Sequence, residues 1–170
     1  DVEIIHSNLP DYIQRVRAAA PELPVFEGEF NRGRYTIILQ GVYSARMYIK
    51  QANERVTTLL ERYVEPIAAW ASLLGEPYPG AFIWTAWRWL MQNHPHDDIC
   101  GCSLDQIHRE NMYRYAQAEQ IGTVLVRDGL RQITHHIDRT AQPGLPVVVF
   151  NPLAWERSET IEAVLPFDLD

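Results

Sequence analysis

The strongest pattern in the sequence runs from Tyr43 to Leu74, where apolar residues recur at steps of three and four. The stripe consists of Ala45, Ile49, Ala52, Val56, Leu59, Tyr63, Ile67, Trp70 and Leu74. This spacing predicts a helix of roughly eight or nine turns, at 3.6 residues per turn. Pro66 lies inside the pattern. Because proline lacks a backbone donor and crowds the preceding turn, we expect a kink or a break there.

Two further long helices are predicted downstream. One covers about Gly80 to Asn93, with Ile83, Trp84, Trp87, Leu90 and Met91 on one face, and Pro95 ends it. The other follows Ser103, whose spacing to Gln106 is that of a capping box. Its stripe consists of Ile121, Leu125, Ile133 and Ile137, with Gly129 at the missing step. Three amphipathic helices joined by short turns bury their stripes by packing together, so we predict a mainly α chain built on an antiparallel three-helix bundle.

Shorter elements are expected at both ends of the chain. Asn8 can cap a short helix over residues 8–20. Strand patterns cover Tyr35–Leu39, Val147–Phe150 and Thr160–Leu165. The sequence opens without an initiator methionine and stops just after a strand pattern begins, so we expect a piece of a longer chain.

Composition excludes several classes of function. The chain is 46% hydrophobic and 22% charged, which is typical of a soluble globular protein. The net charge of −7 and the lack of a basic stripe argue against binding to nucleic acid or to an anionic membrane. No apolar run is long enough to predict a transmembrane helix. A bridge between Cys100 and Cys102 would close almost no loop, so we expect a reducing, cytoplasmic setting rather than a disulfide scaffold.

The hinge from Asn93 to Ser103 carries the groups with the most chemistry. His94 and His96 are compatible with a metal site, but equally with a polar turn between two helices, since residues two apart in extended chain face opposite ways. Asp97 and Asp98 either cap the following helix or favour its positive end, and Asp97 could alternatively bind sugar hydroxyls or a metal. Cys100 and Cys102 are more often small buried residues than ligands. A separate structural zinc domain would need further ligands at standard spacings, and none follow.

The hinge resembles the active-site signature of the glycoside hydrolase family 38 α-mannosidases, in which a histidine–aspartate pair precedes Ile-x-Gly. The stretch from Gly41 to Asn53 resembles the opening of that family's helical middle domain. Ser103-x-Asp105-x-x-His108-x-Glu110 continues the match. The segment Val149 to Pro152 resembles the first strand of the family's C-terminal β-domain. The similarity covers about residue 23 to the end of the chain.

The resemblance implies three regions: the tail of a catalytic α/β domain at 1–40, the middle helical bundle at 41–142, and the start of a C-terminal β-sandwich at 145–170. It implies a retaining exo-α-mannosidase with one zinc ion per active site, in which His96 is a metal ligand and Asp97 contacts the sugar. The nucleophile and the other zinc ligands belong to the preceding domain, so we expect the chain alone to be inactive and not to hold zinc by itself.

The resemblance leaves the general acid, the substrate and the partners less defined. No catalytic residue is assigned on this chain; Glu27 and Glu29 are the candidates for the acid. The expected substrate is a mannose-containing glycan or a small mannosylated solute, and the parent enzyme is expected to be a homo-oligomer. The alternative is a helical interaction module whose hinge binds nothing, for which hinge substitutions would change stability alone.

Overall fold

A computed structural model describes residues 2–19, 22, 24–28, 39–138, 140 and 144–164, which fall into two compact units that divide between Gln40 and Gly41. The first unit contains helix α1, Leu9–Ala19, none of whose residues is buried. Asn8 caps α1 as predicted: its Oδ1 accepts the Asp11 backbone N–H at 3.0 Å, and its Nδ2 donates to Asp11 Oδ2 at 2.8 Å. The strand predicted at Tyr35–Leu39 lies outside the described residues, apart from Leu39.

The second unit is helical up to residue 135. A single 3-10 turn, Gln40–Tyr43, begins at the last residue of the first unit. The helical segments of the second unit then follow in order: α2 Met47–Thr58, a π-helical turn Leu59–Val64, α3 Glu65–Leu73, α4 Gly80–Met91, α5 His96–Cys100 and α6 Asp105–His135. Because α2, the π turn and α3 follow one another without a gap, the predicted long helix forms, starting at Met47 rather than Tyr43.

The predicted break at Pro66 is wrong, since α2, the π turn and α3 follow one another without a gap; the irregularity near the proline is the π turn itself. The Glu65 N–H bonds to the carbonyl of Leu60, five residues back. A turn closed by such bonds contains an extra residue, so the buried face advances by one position. Leu60 and Val64 are therefore buried, whereas the predicted Tyr63 is 39% exposed. Pro66 is the second residue of α3, directly after the π turn.

The long helices run up, down and up. Ile67 on α3 faces Gly129 on α6, and Arg46 just before α2 bonds to Asp105 at the start of α6, so the first and last helices are parallel. On α4 the order is reversed. Trp89 packs edge-on against Tyr113, with ring centroids 6.1 Å apart, while Phe82, a turn or two earlier, shares a groove with Val124. Consecutive long helices are thus antiparallel, as predicted.

The core lies between these three helices. Its fully buried apolar residues include Ile49, Ala52, Val56, Leu60, Ala86, Leu90, Tyr115 and Ala118. On α6 the buried positions are His108, Asn111, Tyr115, Ala118, Gly122 and Gly129. The predicted α6 stripe is offset from this face: Ile121 and Leu125 are partly buried beside the core, while Ile137 lies beyond the helix end and is exposed.

Two predictions at the ends of α6 and of the chain are wrong. Ser103 does not cap α6: the helix begins at Asp105, and the Gln106 Nε2 donates to Glu110 Oε1 instead of reaching back. The strands predicted at Val147–Phe150 and Thr160–Leu165 do not form within residues 144–164, which contain neither helix nor strand. Across the described residues, no helix has the combination of length and apolar character needed to cross a bilayer.

Candidate functional site at the α4–α6 hinge

The hinge contains a short helix rather than a plain turn. Helix α5 begins at His96, directly after Pro95, and ends at Gly101, which adopts the left-handed conformation at φ 84° and ψ 20°. The Gly101 N–H donates to the Asp98 carbonyl at 3.1 Å, and the Cys102 N–H donates to the Asp97 carbonyl at 3.2 Å. A left-handed glycine that closes the last turn in this way is a common helix ending. The first two residues of α5 are thereby the predicted metal ligand and the predicted sugar contact.

His96 and Asp97 form an open imidazole–carboxylate pair. The His96 Nε2 lies 3.3 Å from Asp97 Oδ1, and the two side chains are 90% and 60% exposed. Asp97 Oδ1 also accepts a hydrogen bond from the Cys102 thiol, at an Sγ to Oδ1 distance of 3.2 Å. This hydrogen bond to the carboxylate raises the pKa of the Cys102 thiol. Cys102 is therefore a hydrogen-bond donor to Asp97 and not a thiolate poised to bind metal.

His94 is separated from this pair by its own contacts. Its Nε2 lies 2.9 Å from Asn53 Oδ1 on α2, and the same Oδ1 is 3.5 Å from the Tyr115 hydroxyl. Desolvation of the ring lowers the pKa of His94. His94 is thus bonded to the bundle, and of the two hinge histidines only His96 is free of it.

The other predicted candidates do not join the pair into a metal cluster. Within the described ranges, no three His, Cys, Asp or Glu side chains are placed to hold one ion. Cys100 is partly buried and Cys102 exposed, and both are free thiols. Glu27 is exposed in the first unit, and Glu29 lies outside the described residues. His96 is therefore a single exposed donor, which fits a site completed by ligands from other residues.

Two cations at the start of α2 hold the end of α5, and sequence reasoning did not identify them. Arg46 Nε donates to the Gly101 carbonyl at 3.0 Å and its guanidinium bonds to Asp105 Oδ1 at 2.6 Å. The ion pair raises the pKa of Arg46 and lowers the pKa of Asp105. Lys50 Nζ donates to the carbonyls of Ala45, at 2.6 Å, and Cys100, at 3.1 Å, and burial lowers its pKa.

A signal for this arrangement exists in the sequence. Arg46, Lys50 and Asn53 follow one another at steps of four and three, so they form a polar stripe along one face of the helix start. Each of them contacts a hinge residue or its neighbour. A second stripe beside the apolar one therefore indicates the surface against which the hinge packs.

Three fully buried polar side chains lie on the elements that flank the hinge: Asn93 after α4, and His108 and Asn111 in the first turns of α6. His108 Nε2 lies 3.1 Å from the Ser103 carbonyl, so this nitrogen donates and Nδ1 is the acceptor. Within the described part of the chain, His108 Nδ1, both amide atoms of Asn93 and Asn111 Nδ2 have no hydrogen-bond partner.

Residues 38–133, more than half of the chain, match the family model described as the α-mannosidase middle domain. The chain belongs to this α-mannosidase family. Its resemblance to glycoside hydrolase family 38 is confirmed by two solved structures from Enterococcus faecalis, one described as a family 38 glycosyl hydrolase and the other as an α-mannosidase.

Both structures are 42% identical to this α-mannosidase segment and cover 83% of it, with TM-scores of 0.60 and 0.63. A curated relative, a putative mannosylglycerate hydrolase from Halalkalibacterium halodurans, is 35% identical over 156 residues, or 88% of the chain. The chain spans 17% of that relative and 16% of each solved structure, about a sixth of their length.

Proposed function

We propose that the chain is the middle segment of a retaining, zinc-dependent exo-α-mannosidase, to which it contributes His96 as a zinc ligand and Asp97 as a sugar contact. The observation that carries the proposal is the exposed His96–Asp97 pair, presented on a helix whose far end is fixed by α2. Family membership supports the reaction class.

The donor set fits this role. A neutral imidazole nitrogen is a common zinc ligand, and the exposed His96 ring is open to a metal held mainly by other residues. When bound, zinc supplies Lewis-acid stabilisation of the reacting sugar. Within the described residues, the side-chain contacts of Asp97 all use Oδ1, which leaves Oδ2 able to accept a hydrogen bond from a sugar hydroxyl.

The remaining catalytic groups are proposed to come from outside the helical unit. Retaining glycosidases need a nucleophilic carboxylate and a second carboxyl group about 5 Å apart. Within residues 93–103 the acidic side chains are Asp97, which we propose as the sugar contact, and Asp98. The family resemblance implies that the nucleophile lies on a preceding domain of the longer enzyme, and we propose the same here.

The proposed substrate carries a terminal α-mannosyl group, either on a glycan or on a small solute. The relative described as a putative mannosylglycerate hydrolase favours the solute. The setting that we propose is the reducing cytoplasm, because Cys100 and Cys102 are free thiols one residue apart.

The test is His96→Ala in an enzyme of the relatives' length that contains this chain, with p-nitrophenyl α-mannoside as substrate. We expect zinc content to fall well below one per active site. We also expect kcat/KM to fall at least about 100-fold, because several kcal/mol of transition-state stabilisation depend on the metal and each 1.4 kcal/mol is about tenfold. His135→Ala, which removes an exposed histidine at the end of α6, is the matched control.

The alternative function, a helical interaction module, predicts a different result. If His96→Ala and Asp97→Asn both keep wild-type zinc content and turnover, the hinge binds neither metal nor sugar and the proposal is wrong. Loss of turnover in both variants, with unchanged thermal stability, supports the enzyme.

A further inference from the structure

Helix α5 is too short to be stable by itself. It has five residues, and isolated helices shorter than about 12 residues are marginal in water because the first turn is costly to form. The orientation of His96 and Asp97 therefore depends on whatever fixes α5 to the bundle. Ile99 packs against the core, and the other fixed points are the backbone carbonyls at the end of the helix.

Four backbone carbonyls at the end of α5 accept hydrogen bonds, and two of the donors are cationic side chains. The Asp97 and Asp98 carbonyls accept local N–H groups, whereas the Cys100 carbonyl accepts Lys50 and the Gly101 carbonyl accepts Arg46. Hydrogen bonds from charged donors are roughly twice as strong as neutral ones. Lys50 and Arg46 thus link the end of α5 directly to the start of α2.

The backbone at Arg46 has an uncommon conformation and lies close to Gly101. Arg46 has φ 49° and ψ 56°, and it is the one non-glycine residue with positive φ in the described chain. Such a conformation persists where surrounding contacts over-determine it. Gly101 lies directly against it: a Cβ on Gly101 would be 3.3 Å from the Ala45 carbonyl oxygen and 3.4 Å from Arg46 Cβ. The close approach brings the guanidinium to the Gly101 carbonyl.

We infer that Arg46, assisted by Lys50, is a positioning residue of the site: by bonding the terminal carbonyls of α5 it sets where His96 and Asp97 stand. This inference rests on the proposed function for its effect on catalysis. Arg46 touches neither of the two side chains in any contact that the structure gives, so its influence passes through the α5 backbone.

The first experiment needs neither metal nor substrate. Arg46→Lys keeps the charge but cannot reproduce the forked contact to Gly101 and Asp105. Arg55→Lys is the matched control, since Arg55 lies on α2 and pairs with Glu119 on α6 at 2.8 and 3.2 Å, away from the hinge. In hydrogen–deuterium exchange of the 170-residue chain, we expect the amides of residues 97–102 to exchange about tenfold faster in Arg46→Lys, because one charge-assisted hydrogen bond to α5 is lost. The control leaves this segment unchanged.

The second experiment measures catalysis in the enzyme of full length. Arg46→Lys is expected to lower kcat/KM about 10- to 100-fold with little change in Tm, because misplacing reacting groups by about 1 Å has such an effect and exposed ion pairs stabilise little. Asp105→Ala keeps the bond to the Gly101 carbonyl and is expected to stay within about threefold of wild type. If Arg46→Lys lowers Tm strongly, Lys50→Met takes its place, and its exchange rates and kcat/KM are compared with those of Arg55→Lys.

The outcomes separate this inference from the proposed function. Equal exchange and equal kcat/KM in Arg46→Lys and Arg55→Lys overturn the positioning role, even if His96→Ala is inactive. Faster exchange in Arg46→Lys with an active His96→Ala enzyme supports the positioning of α5 but refutes the zinc site.

Discussion

Gly129→Ala tests the close packing of α6 against α3. A Cβ built on Gly129 would lie 2.7 Å from Ile67 Cγ2, and Ile67 is only 2% exposed. Distances below 3.0 Å require a neighbour to move. Because Ile67 is β-branched and held by the core, its Cγ2 cannot swing away as the tip of a long side chain would.

The expected magnitude is a balance of two effects. Alanine is about 1 kcal/mol better than glycine inside a helix. Overpacking a well-filled core costs about 1–3 kcal/mol. We therefore expect Gly129→Ala to lower the free energy of unfolding by about 1 kcal/mol, or Tm by about 2–4 °C for a chain of this size. Urea unfolding followed by circular dichroism, with linear extrapolation, measures it.

Gly122→Ala is the matched control on the same helix face. Its Cβ would meet Leu59 Cδ2 at 2.8 Å, but this atom is the flexible end of a partly buried side chain. Both substitutions gain the same helix propensity, so their difference reports the packing alone. We expect Gly122→Ala to stay near wild-type stability, about 1 kcal/mol above Gly129→Ala.

A second-site change at Ile67 identifies the contact. Ile67→Leu moves the branch from Cβ to Cγ and removes the methyl group that the new Cβ would strike, so it should restore stability to Gly129→Ala. Ile67→Val keeps that methyl group and should not. The packing argument would be refuted if the single variant Gly129→Ala were more stable than wild type, or if Ile67→Leu and Ile67→Val restored its stability equally.

Two further predictions concern titration of the 170-residue chain. Burial raises the pKa of Tyr115 to about 12. Its contribution to stability is therefore present below the unfolded pKa of about 10 and is lost as pH rises through 10 to 12. In Tyr115→Phe the tyrosinate absorbance that appears near pH 12 should be missing, and its persistence would contradict the assignment. Desolvation lowers the pKa of His94. Its contribution to stability is therefore present above about pH 6.5 and is lost as pH falls below that value. The free energy of unfolding in urea should depend less on pH across this range in His94→Gln, and an unchanged pH dependence would show that another group titrates.

The helices could be predicted from the sequence because their signal is local. Apolar residues at steps of three and four predicted the helices that form over Met47–Leu73 and Gly80–Met91. The phase within the first could not be predicted, since the stripe was read at a constant 3.6 residues per turn and the π turn shifts it. The steps of four from Val56 through Leu60 and Val64 to Ala68, all buried, are the trace of that turn in the sequence.

The strand predictions failed for a different reason. A short apolar run such as Val147–Phe150 has the composition of a buried strand, but a strand exists only when another strand satisfies its backbone groups. Within residues 144–164 no such partner is present. Local composition specifies which residues suit a sheet and leaves its pairing undetermined.

The hinge combines both cases. Its motif is local, and the family resemblance of these eleven consecutive residues is what assigns His96 and Asp97, an assignment that stays a prediction. The contacts that hold the motif are not local: Arg46 reaches Gly101 across 55 residues of sequence, and Lys50 reaches Cys100 across 50. The polar stripe of Arg46, Lys50 and Asn53 is visible in the sequence, but long cationic side chains on an amphipathic helix are usually solvated, so the stripe alone does not identify the hinge as its partner.

The buried face of α6 shows why an apolar pattern alone misplaces a core. Near the hinge this face consists of His108 and Asn111, and further along it consists of Gly122 and Gly129. Both glycines lie where α6 closely approaches the π turn and α3, so the missing apolar step at Gly129 marks a contact with α3 and not an exposed position. The buried His108 and Asn111 show in addition that core positions near the hinge can be polar, which a search for apolar residues does not register.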